Sequence, residues 1–213
     1  MKLLFTLLIP VVLAGCSVFG DSGVKNAPYT LLKSDQEQKI EVRNYESMVL
    51  VSSDMSSDGM NSAFRNLFSY ITGENEGSAE IAMTAPVLMN ESNAASKGTN
   101  KGTEIAMTAP VFMKERSEQQ VMSFVMPADF TLKSTPKPTN PNVWVTEVKE
   151  YKVVVIKFSG LLSDSNVKIQ TEILNSWIEK NGYTAISEPV NAAYNGPFTI
   201  PWLRHNEVLI EVI

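Results

Sequence analysis

The sequence predicts an α+β fold, in which an antiparallel or mixed β-barrel is flanked by two helices. Strand-like alternation recurs along most of the chain, and only two segments, at about 60–72 and 166–181, have the spacing of amphipathic helices. The order strand-strand-helix-strand-strand also occurs twice. A doubly wound parallel sheet needs more than two helices, so we expect strands that pair mainly with antiparallel neighbours and two helices packed outside the barrel.

The N-terminus has the pattern of an export signal. Lys2 precedes an apolar run at residues 3–13, and the sequence Leu-Ala-Gly-Cys follows and ends at Cys16. This run is shorter than the roughly 20 apolar residues that span a bilayer. Leu-Ala-Gly-Cys resembles a bacterial lipobox, which implies a lipoprotein signal peptide at 1–15 and acylation of Cys16. The alternative is a simple secretory signal in which the Cys is incidental.

The lipobox resemblance also implies a location. Several acyl chains anchor a protein stably, so the domain is expected to be held at a membrane by its lipid alone. Ser17 follows the Cys and, by resemblance to lipoprotein sorting signals, implies the outer membrane of a Gram-negative cell, with the domain facing the periplasm. Residues 16–27 then form the acylated Cys and a flexible tether that contains Gly20 and Gly23.

The first half of the remaining chain predicts three strands and a helix. Turns are expected at Ser34-Asp35 and around Glu46, because polar residues interrupt the alternation there. The strands fall at 29–33, 39–45 and 48–53. Apolar residues then recur at three- and four-residue intervals from Met60 to Ile71, with Ser57 or Asp58 as the expected cap and Gly73 at the end.

An exact repeat separates the two halves. The heptapeptide Ile-Ala-Met-Thr-Ala-Pro-Val occupies residues 81–87 and again 105–111. Two copies are too few for a solenoid, so we expect two adjacent strands joined by the polar loop 90–103. Alternation along these strands directs Met83 and Met107 towards the interior, where Met is most often a gap-filler. A methionine-lined copper site is the alternative for the same residues.

The second half repeats the order of the first. Strands are predicted at 144–148, 152–158, 184–194 and 206–213. The helix between them has Val167, Leu174 and Trp177 on one face, cap candidates at 164–166, and Gly182 at its end.

Composition excludes several classes of function. The formal charge is −5 and the pI is near 5.0, so neither half has the basic surplus that binding to nucleic acid requires. One Cys and one His are too few for a disulfide within the chain or for a zinc site made of Cys and His. No nucleophile elbow, phosphate loop or dinucleotide fingerprint occurs, so we expect no enzyme activity.

Several blocks in the right order resemble the SOUL haem-binding family. They are the heptapeptide with the preceding segment 63–77, then 124–132, 136–143 and 203–212. The resemblance covers residues 28–213 and implies one SOUL-like domain, a distorted barrel of about eight strands in two pseudo-symmetric halves. It also implies binding of haem or a related tetrapyrrole without catalysis.

The resemblance implies a shallow apolar cleft between the first helix and the loop before the last strand. Asn61, Phe64 and Phe68 fall on the helix side, although the two Phe residues also fit the core-facing period of that helix. Tyr194, Phe198, Trp202 and Arg204 fall on the loop side. The apolar rings are suited to covering a macrocycle, and Arg204 is suited to pairing with a propionate.

His205 is the only imidazole in the chain and hence the only strong candidate for an axial iron ligand. The alternative is an ordinary loop or strand residue, because the family has no ligating residue common to its members. A second function also stays open, in which the same barrel binds another apolar small molecule or a protein partner without haem.

Overall fold

A computed structural model describes residues 25–55, 59–77, 84–85, 87–88, 111–113, 120–196 and 198–213. The elements in chain order are β1 (Lys25–Asn26), β2 (Thr30–Asp35), β3 (Ile40–Asp54), α1 (Met60–Ile71), β4 (Thr84–Ala85), β5 (Val87–Leu88), β6 (Val111–Met113), β7 (Val121–Val125), β8 (Val143–Phe158), α2 (Asp164–Lys180), β9 (Val190–Ala193) and β10 (Asn206–Glu211). A short 3-10 helix at Pro201–Leu203 precedes β10.

One antiparallel sheet organises the molecule around β3 and β8. The neighbours follow the order β10-β8-β3-β7-β5-β9-β6; β2 also pairs with β3, and β10 also pairs with β9. A separate parallel pair joins β1 to β4. The predicted α+β class, the antiparallel sheet and the two helices are confirmed. The barrel of about eight strands with two pseudo-symmetric halves stays a prediction.

The two central strands are longer than predicted. We expected a turn around Glu46, and separate strands at 144–148 and 152–158, and both expectations are wrong. The register of β3 against β8 is the same before and after this point, with Tyr45 opposite Tyr151 and Ser47 opposite Lys149. The ladder passes over Glu46 and Glu150, which are exposed, and Glu150 has a φ of 51°, but the pairing resumes unchanged on the other side. Polarity at this point therefore marks contact with water and does not reverse the chain.

Both helices pack their apolar faces on the sheet. α1 buries Ala63, Leu67, Tyr70 and Ile71, and α2 buries Leu174, Trp177 and Ile178. Each lies within two residues of its predicted bounds. The cap of α2 is Ser163, one residue before the expected window, because its hydroxyl accepts a hydrogen bond from the amide of Asn166. Gly59, with φ of 74°, precedes α1 at a backbone geometry that favours glycine.

The structure tests some of the remaining predictions, and others concern residues that it does not describe. The strand predicted at 184–194 is confined to Val190–Ala193, and the last strand is Asn206–Glu211. In the repeats, Thr84–Ala85, Val87 and Val111 are in strands, whereas Met83 and Met107 lie outside the described residues. Cys16, most of its tether and the cap candidates Ser57 and Asp58 also lie outside them. No helix in the described part of the chain is long and apolar enough to cross a membrane.

Candidate functional site

The exposed side of α1 carries three of the residues predicted for the cleft. Asn61, Phe64 and Phe68 lie on this side, and the two Phe side chains are 41% and 42% exposed. Their rings are stacked, with centroids 6.1 Å apart and planes 15° apart. Phe64 also meets the edge of Phe124 in β7, at 5.6 Å between centroids. The residues of α1 that pack into the core are therefore Ala63 and Leu67. The two Phe side chains do not, and they stay accessible to a ligand.

Two further aromatic side chains stand out from the loop between β9 and β10. Phe198 is 85% exposed and Trp202 is 72% exposed, which is unusual for rings of this size. The backbone next to Trp202 is held, because the amide of Gly160 donates to the carbonyl of Pro201 at 2.9 Å. A fixed loop that carries exposed aromatic rings is a feature of ligand and partner sites.

The α1 face and this loop belong to neighbouring parts of the sheet. Phe64 touches β7, β7 pairs with β5, and β5 pairs with β9, which ends where the loop begins. Two inter-strand spacings separate β7 from β9, or about 10 Å. Among the described residues, no ring contact joins Phe198 or Trp202 to α1.

Arg204 lies at the base of the loop. Its Nε donates a hydrogen bond to the carbonyl oxygen of Thr199 at 2.8 Å. This bond holds the guanidinium beside the exposed aromatic segment.

Tyr194 and His205 form one unit behind the loop. The imidazole of His205 stacks on the phenol of Tyr194, with ring centroids 4.0 Å apart and planes 7° apart. Both side chains reach the carboxylate of Glu207: the Tyr194 hydroxyl donates to Oε2 at 2.6 Å, and His205 Nε2 lies 2.9 Å from Oε1. Tyr194 was predicted to lie on the loop side of the cleft; the structure directs its hydroxyl into this polar cluster.

Glu207 is fully buried and is held by Arg43. The guanidinium donates from both terminal nitrogens to the two carboxylate oxygens, at 2.9 and 2.8 Å. Arg43 also pairs with Glu41 at 2.7 Å, and Glu41 pairs with Lys157. We call Glu41, Arg43, Lys157, Tyr194, His205 and Glu207 the buried charge network. Its two acidic and two basic groups balance without counting His205.

Electrostatics fix the charge state of this network. Burial acts to raise the pKa of Glu207, but the charge of Arg43 and the hydrogen bonds from His205 and Arg43 outweigh it and hold that pKa at about 2. Burial acts to lower the pKa of Arg43, and the charge of Glu207 raises it overall. The pKa of the Tyr194 phenol is well above its usual value because the ring is buried beside the Glu207 carboxylate. The network therefore stays an ion pair with a neutral phenol over the physiological range.

This arrangement suits an apolar planar ligand better than a preformed metal site. The exposed rings of Phe64, Phe68, Phe198 and Trp202 offer apolar surface for a macrocycle. His205 is 39% exposed at its side chain, but its Nε2 is hydrogen-bonded to Glu207. Iron coordination through that nitrogen would require the hydrogen bond to break.

Sequence reasoning missed Arg43 and Glu207. Charged residues at alternate positions of β3 place Glu41, Arg43 and Tyr45 on one face and Ile40 and Val42 on the other. The alternation was interpreted only as a strand at 39–45, and Arg43 in it is 1% exposed. The available clue was a charge of each sign beside an aliphatic residue in two strands, Arg43 after Val42 and Glu207 before Val208.

Two solved structures that are similar to this chain with TM-scores above 0.5 agree on the fold. The C-terminal domain of EcmrR is 14% identical over 82% of this chain and 96% of that one, with a TM-score of 0.52. An uncharacterised conserved protein from Listeria innocua is 13% identical over 83% and 93% of the two chains, with a TM-score of 0.53. A hydrolase from the same organism is 12% identical over 83% and 92%, at 0.49. At these identities the likeness concerns the fold alone.

The family comparison is more specific. No curated protein is similar enough to be matched with the chain. The family model described as SOUL heme-binding protein matches residues 24–99 and 95–211, which include the heptapeptide repeats, α1, the loop and the buried charge network. The chain therefore belongs to the SOUL heme-binding protein family.

Proposed function

We propose that this chain binds haem or a related tetrapyrrole, without catalysing a reaction, in the cleft between the exposed face of α1 and the loop 194–205. One observation carries the proposal: four large aromatic side chains, Phe64, Phe68, Phe198 and Trp202, are exposed on the two predicted walls. Family membership supports the class of ligand.

The residues on the two walls make two kinds of contact with the ligand, apolar contacts with the macrocycle and an ionic contact with a propionate. The rings of α1 and the loop cover the faces of the macrocycle, which removes apolar area from water at about 25 cal/mol per Å². Arg204, whose Nε is bonded to the carbonyl of Thr199, offers its guanidinium charge to a propionate. When bound, haem supplies an iron centre whose chemistry depends on its axial ligands.

In this proposal His205 lines the cleft in a fixed orientation and does not bind the iron. Its imidazole is held on both sides, by the stacked ring of Tyr194 and by the carboxylate of Glu207. A free, rotatable imidazole would favour ligation, whereas this one already has a partner for Nε2. We propose that the cleft binds the ring without an iron bond from His205.

The proposal includes a place for the protein. We propose that Cys16 is acylated, that residues 16–27 form the tether, and that the domain is held at the outer membrane facing the periplasm. The lipobox sequence Leu-Ala-Gly-Cys and the Ser17 that follows it support this location. The lipid is then the only attachment to the membrane that the proposal requires.

A haemin titration of the full chain tests the proposal. The expected result is a shifted Soret band that saturates at one haemin per chain. Protoporphyrin IX, which lacks iron, is expected to bind with similar affinity, because aromatic cover and the Arg204 contact do not need the metal. Association that does not saturate would contradict the proposal and favour another apolar ligand or a protein partner for the same walls.

A further inference from the structure

We propose that one end of the sheet rests on the surface of a lipid membrane and inserts the exposed rings of the loop 194–205 among the lipid headgroups. This contact adds to the acyl chains of Cys16. The inference deepens the proposed function and rests on its lipid anchor, because Phe198 and Trp202 belong both to this surface and to the proposed cleft. A tetrapyrrole would then meet the cleft at the membrane surface.

The strand ends bring two loops together at this end of the sheet. Phe158 is the last residue of β8, and Ala193 is the last residue of β9. Both pair with Asn206, the first residue of β10. The segment 159–163 and the loop 194–205 therefore leave the sheet side by side.

Hydrogen bonds join the two loops. The amide of Gly160 donates to the carbonyl of Pro201, and Nδ2 of Asn206 donates to the carbonyl of Gly160, each at 2.9 Å. Because the backbone of one loop is held against the other, their exposed side chains form one surface. We call this surface the loop end.

Large apolar side chains are exposed at the loop end. Phe198 is 85% and Trp202 72% exposed, and Leu161 and Leu203 are 53% and 39% exposed. Trp is enriched at the boundary between a bilayer and water, because its ring is apolar and its indole N–H is polar. Phe and Leu are typical of the apolar face of helices that lie on a membrane. A lipid surface therefore matches the chemistry of this end.

The charged groups near the loop end leave this approach open. The carboxylate of Glu207 is buried and is neutralised by Arg43. Arg204 adds a cation at the same end, which suits the phosphates of lipid headgroups. Asp164, in the first turn of α2, is exposed and follows Leu161 by three residues. We expect its carboxylate to stay in the water at the rim of the contact.

The chain also enters the domain at the loop end. Val87, the first residue of β5, pairs with Ala193, and the two strands are antiparallel. The residues before Val87, which include β4, therefore run past the end of β9 towards the loop. Lys25 and Asn26 of β1 pair with β4. The segment that leads from Cys16 thus arrives at this end of the sheet.

The length of the segment before β1 limits the distance to a membrane. Nine peptide units separate Cys16 from Lys25, and even a fully extended chain of this length spans only about 30 Å. Ala27, which is 4% exposed, fixes the chain just after β1 to the core. With acyl chains at Cys16, the loop end is therefore held close to the bilayer.

The other end of β10 provides a comparison. Asn206 and Glu211 begin and end this strand, which places them about 17 Å apart. The amide of Ile186 donates to the carbonyl of Glu211 at 2.9 Å. The side chain of Ile186 is 52% exposed, close to the 53% of Leu161. Ile186 is thus an equally exposed aliphatic residue that lies far from the loop end.

The experiment couples the full chain to lipid vesicles through Cys16. Because this is the only Cys in the chain, a maleimide-linked phosphatidylethanolamine attaches to it alone, whether or not the cell acylates it. The vesicles consist of phosphatidylcholine, which has no net charge, and a brominated phosphatidylcholine, which quenches Trp within the bilayer. We expect the brominated lipid to lower the Trp emission of the wild type, and this loss to be at least threefold smaller in Trp202→Phe.

Moving the reporter tests the orientation of the domain. In the background Trp202→Phe, Ile186→Trp places a ring at the far end of β10, and we expect brominated lipid to leave its emission unchanged. Leu161→Asp puts a charge at the loop end and is expected to lower the quenching of Trp202 at least twofold, with Ile186→Asp as the matched control. Equal quenching of the two reporters, no quenching of Trp202, or no effect of Leu161→Asp would overturn the proposal.

The haemin titration separates this inference from the tetrapyrrole site. Leu161 is not among the residues of the cleft, so Leu161→Asp is expected to keep the haemin affinity of the wild type. Quenching of Trp202 in a chain that fails to bind haemin would contradict the tetrapyrrole proposal and leave this one supported. Saturable haemin binding without quenching of Trp202 would support the tetrapyrrole site and overturn the membrane contact.

Discussion

His205 lies flat against Tyr194, with ring centroids 4.0 Å apart, and both side chains end on the same buried carboxylate of Glu207. The orientation of the imidazole is thus fixed by the protein before any ligand arrives. Arg43 completes the arrangement from the other side of the carboxylate. A residue that looks like a candidate ligand in the sequence is, in the fold, the outer end of an ion-pair network.

The first prediction concerns the role of His205. In the His205→Ala variant, we expect the Soret position and the spin state of bound haem to stay as in the wild type, because Nε2 is already bonded to Glu207. Absorption and electron paramagnetic resonance spectra of the haemin complex measure this. A large spectral change in a folded variant would show that His205 ligates the iron.

The second prediction concerns the helix wall. Phe64→Ala is expected to weaken haemin binding by about 1–3 kcal/mol, the scale of losing a large apolar contact. Its cost to stability should be smaller than that of a core Phe, because the side chain is already half exposed. Ile169→Ala on the exposed surface of α2 is the matched control. Unchanged haemin affinity in Phe64→Ala would remove α1 from the site.

The third prediction concerns the loop wall. Trp202→Ala is expected to weaken haemin binding by about 1–3 kcal/mol. Trp202 is mostly exposed, so the free energy of unfolding measured in urea should change little. Loss of affinity with unchanged stability is the result that assigns Trp202 to binding. If affinity stays the same while the helix-wall variant loses it, the ligand contacts α1 alone.

The fourth prediction concerns the buried ion pair. Glu207→Gln removes the main partner of a buried guanidinium, so we expect a loss of about 3–5 kcal/mol in the free energy of unfolding. Glu147→Gln is the matched control, because its partner Lys149 is mostly exposed and such pairs contribute about 0–1 kcal/mol. Urea titrations at pH 7 measure both changes. Equal effects in the two variants would contradict a stabilising role for the buried pair.

The same pair gives the protein an acid-sensitive stability. The pKa of Glu207 is about 2 in the folded protein and near 4.5 when unfolded, so the unfolded state binds the proton first. The stabilisation is complete above pH 4.5 and is lost as the pH falls towards 2, by about 3 kcal/mol. Urea midpoints from pH 2 to 6 should show this slope in the wild type and a flatter one in Glu207→Gln. Parallel slopes would assign the acid sensitivity to other carboxylates.

The fifth prediction concerns Cys16. Cys16→Ala is expected to abolish acylation, so the protein should move from the membrane fraction to the soluble fraction of the cell envelope. Metabolic labelling with a radioactive fatty acid tests the modification directly. A wild type that carries no label and a variant that stays with the membrane would together contradict the lipid anchor.

The fold was more predictable than the site. The spacing of Ala63, Leu67 and Ile71 gave α1, since helical period and burial go together when one face packs on a sheet. The predicted turn around Glu46 was wrong because, in sequence, a polar residue in an exposed strand cannot be told apart from a polar residue in a turn. The pairing of Arg43 with Glu207 was beyond sequence reasoning, since the two residues are 164 positions apart and only the β3-β8-β10 order brings them together.

The long β3-β8 ladder constrains when the protein can fold. The nearest paired residues of β3 and β8, Ser53 and Val143, are 90 positions apart, so the two central strands meet only after a long loop has closed. Closing such a loop costs entropy before its contacts form, and domains dominated by non-local pairs fold slowly. In an N-terminal half emerging from the ribosome, β3 therefore has β2 as a partner but neither β7 nor β8. In a chain exported as we propose, this delay keeps the polypeptide unfolded until the C-terminal half has been made, which is the state that threading through a membrane channel requires.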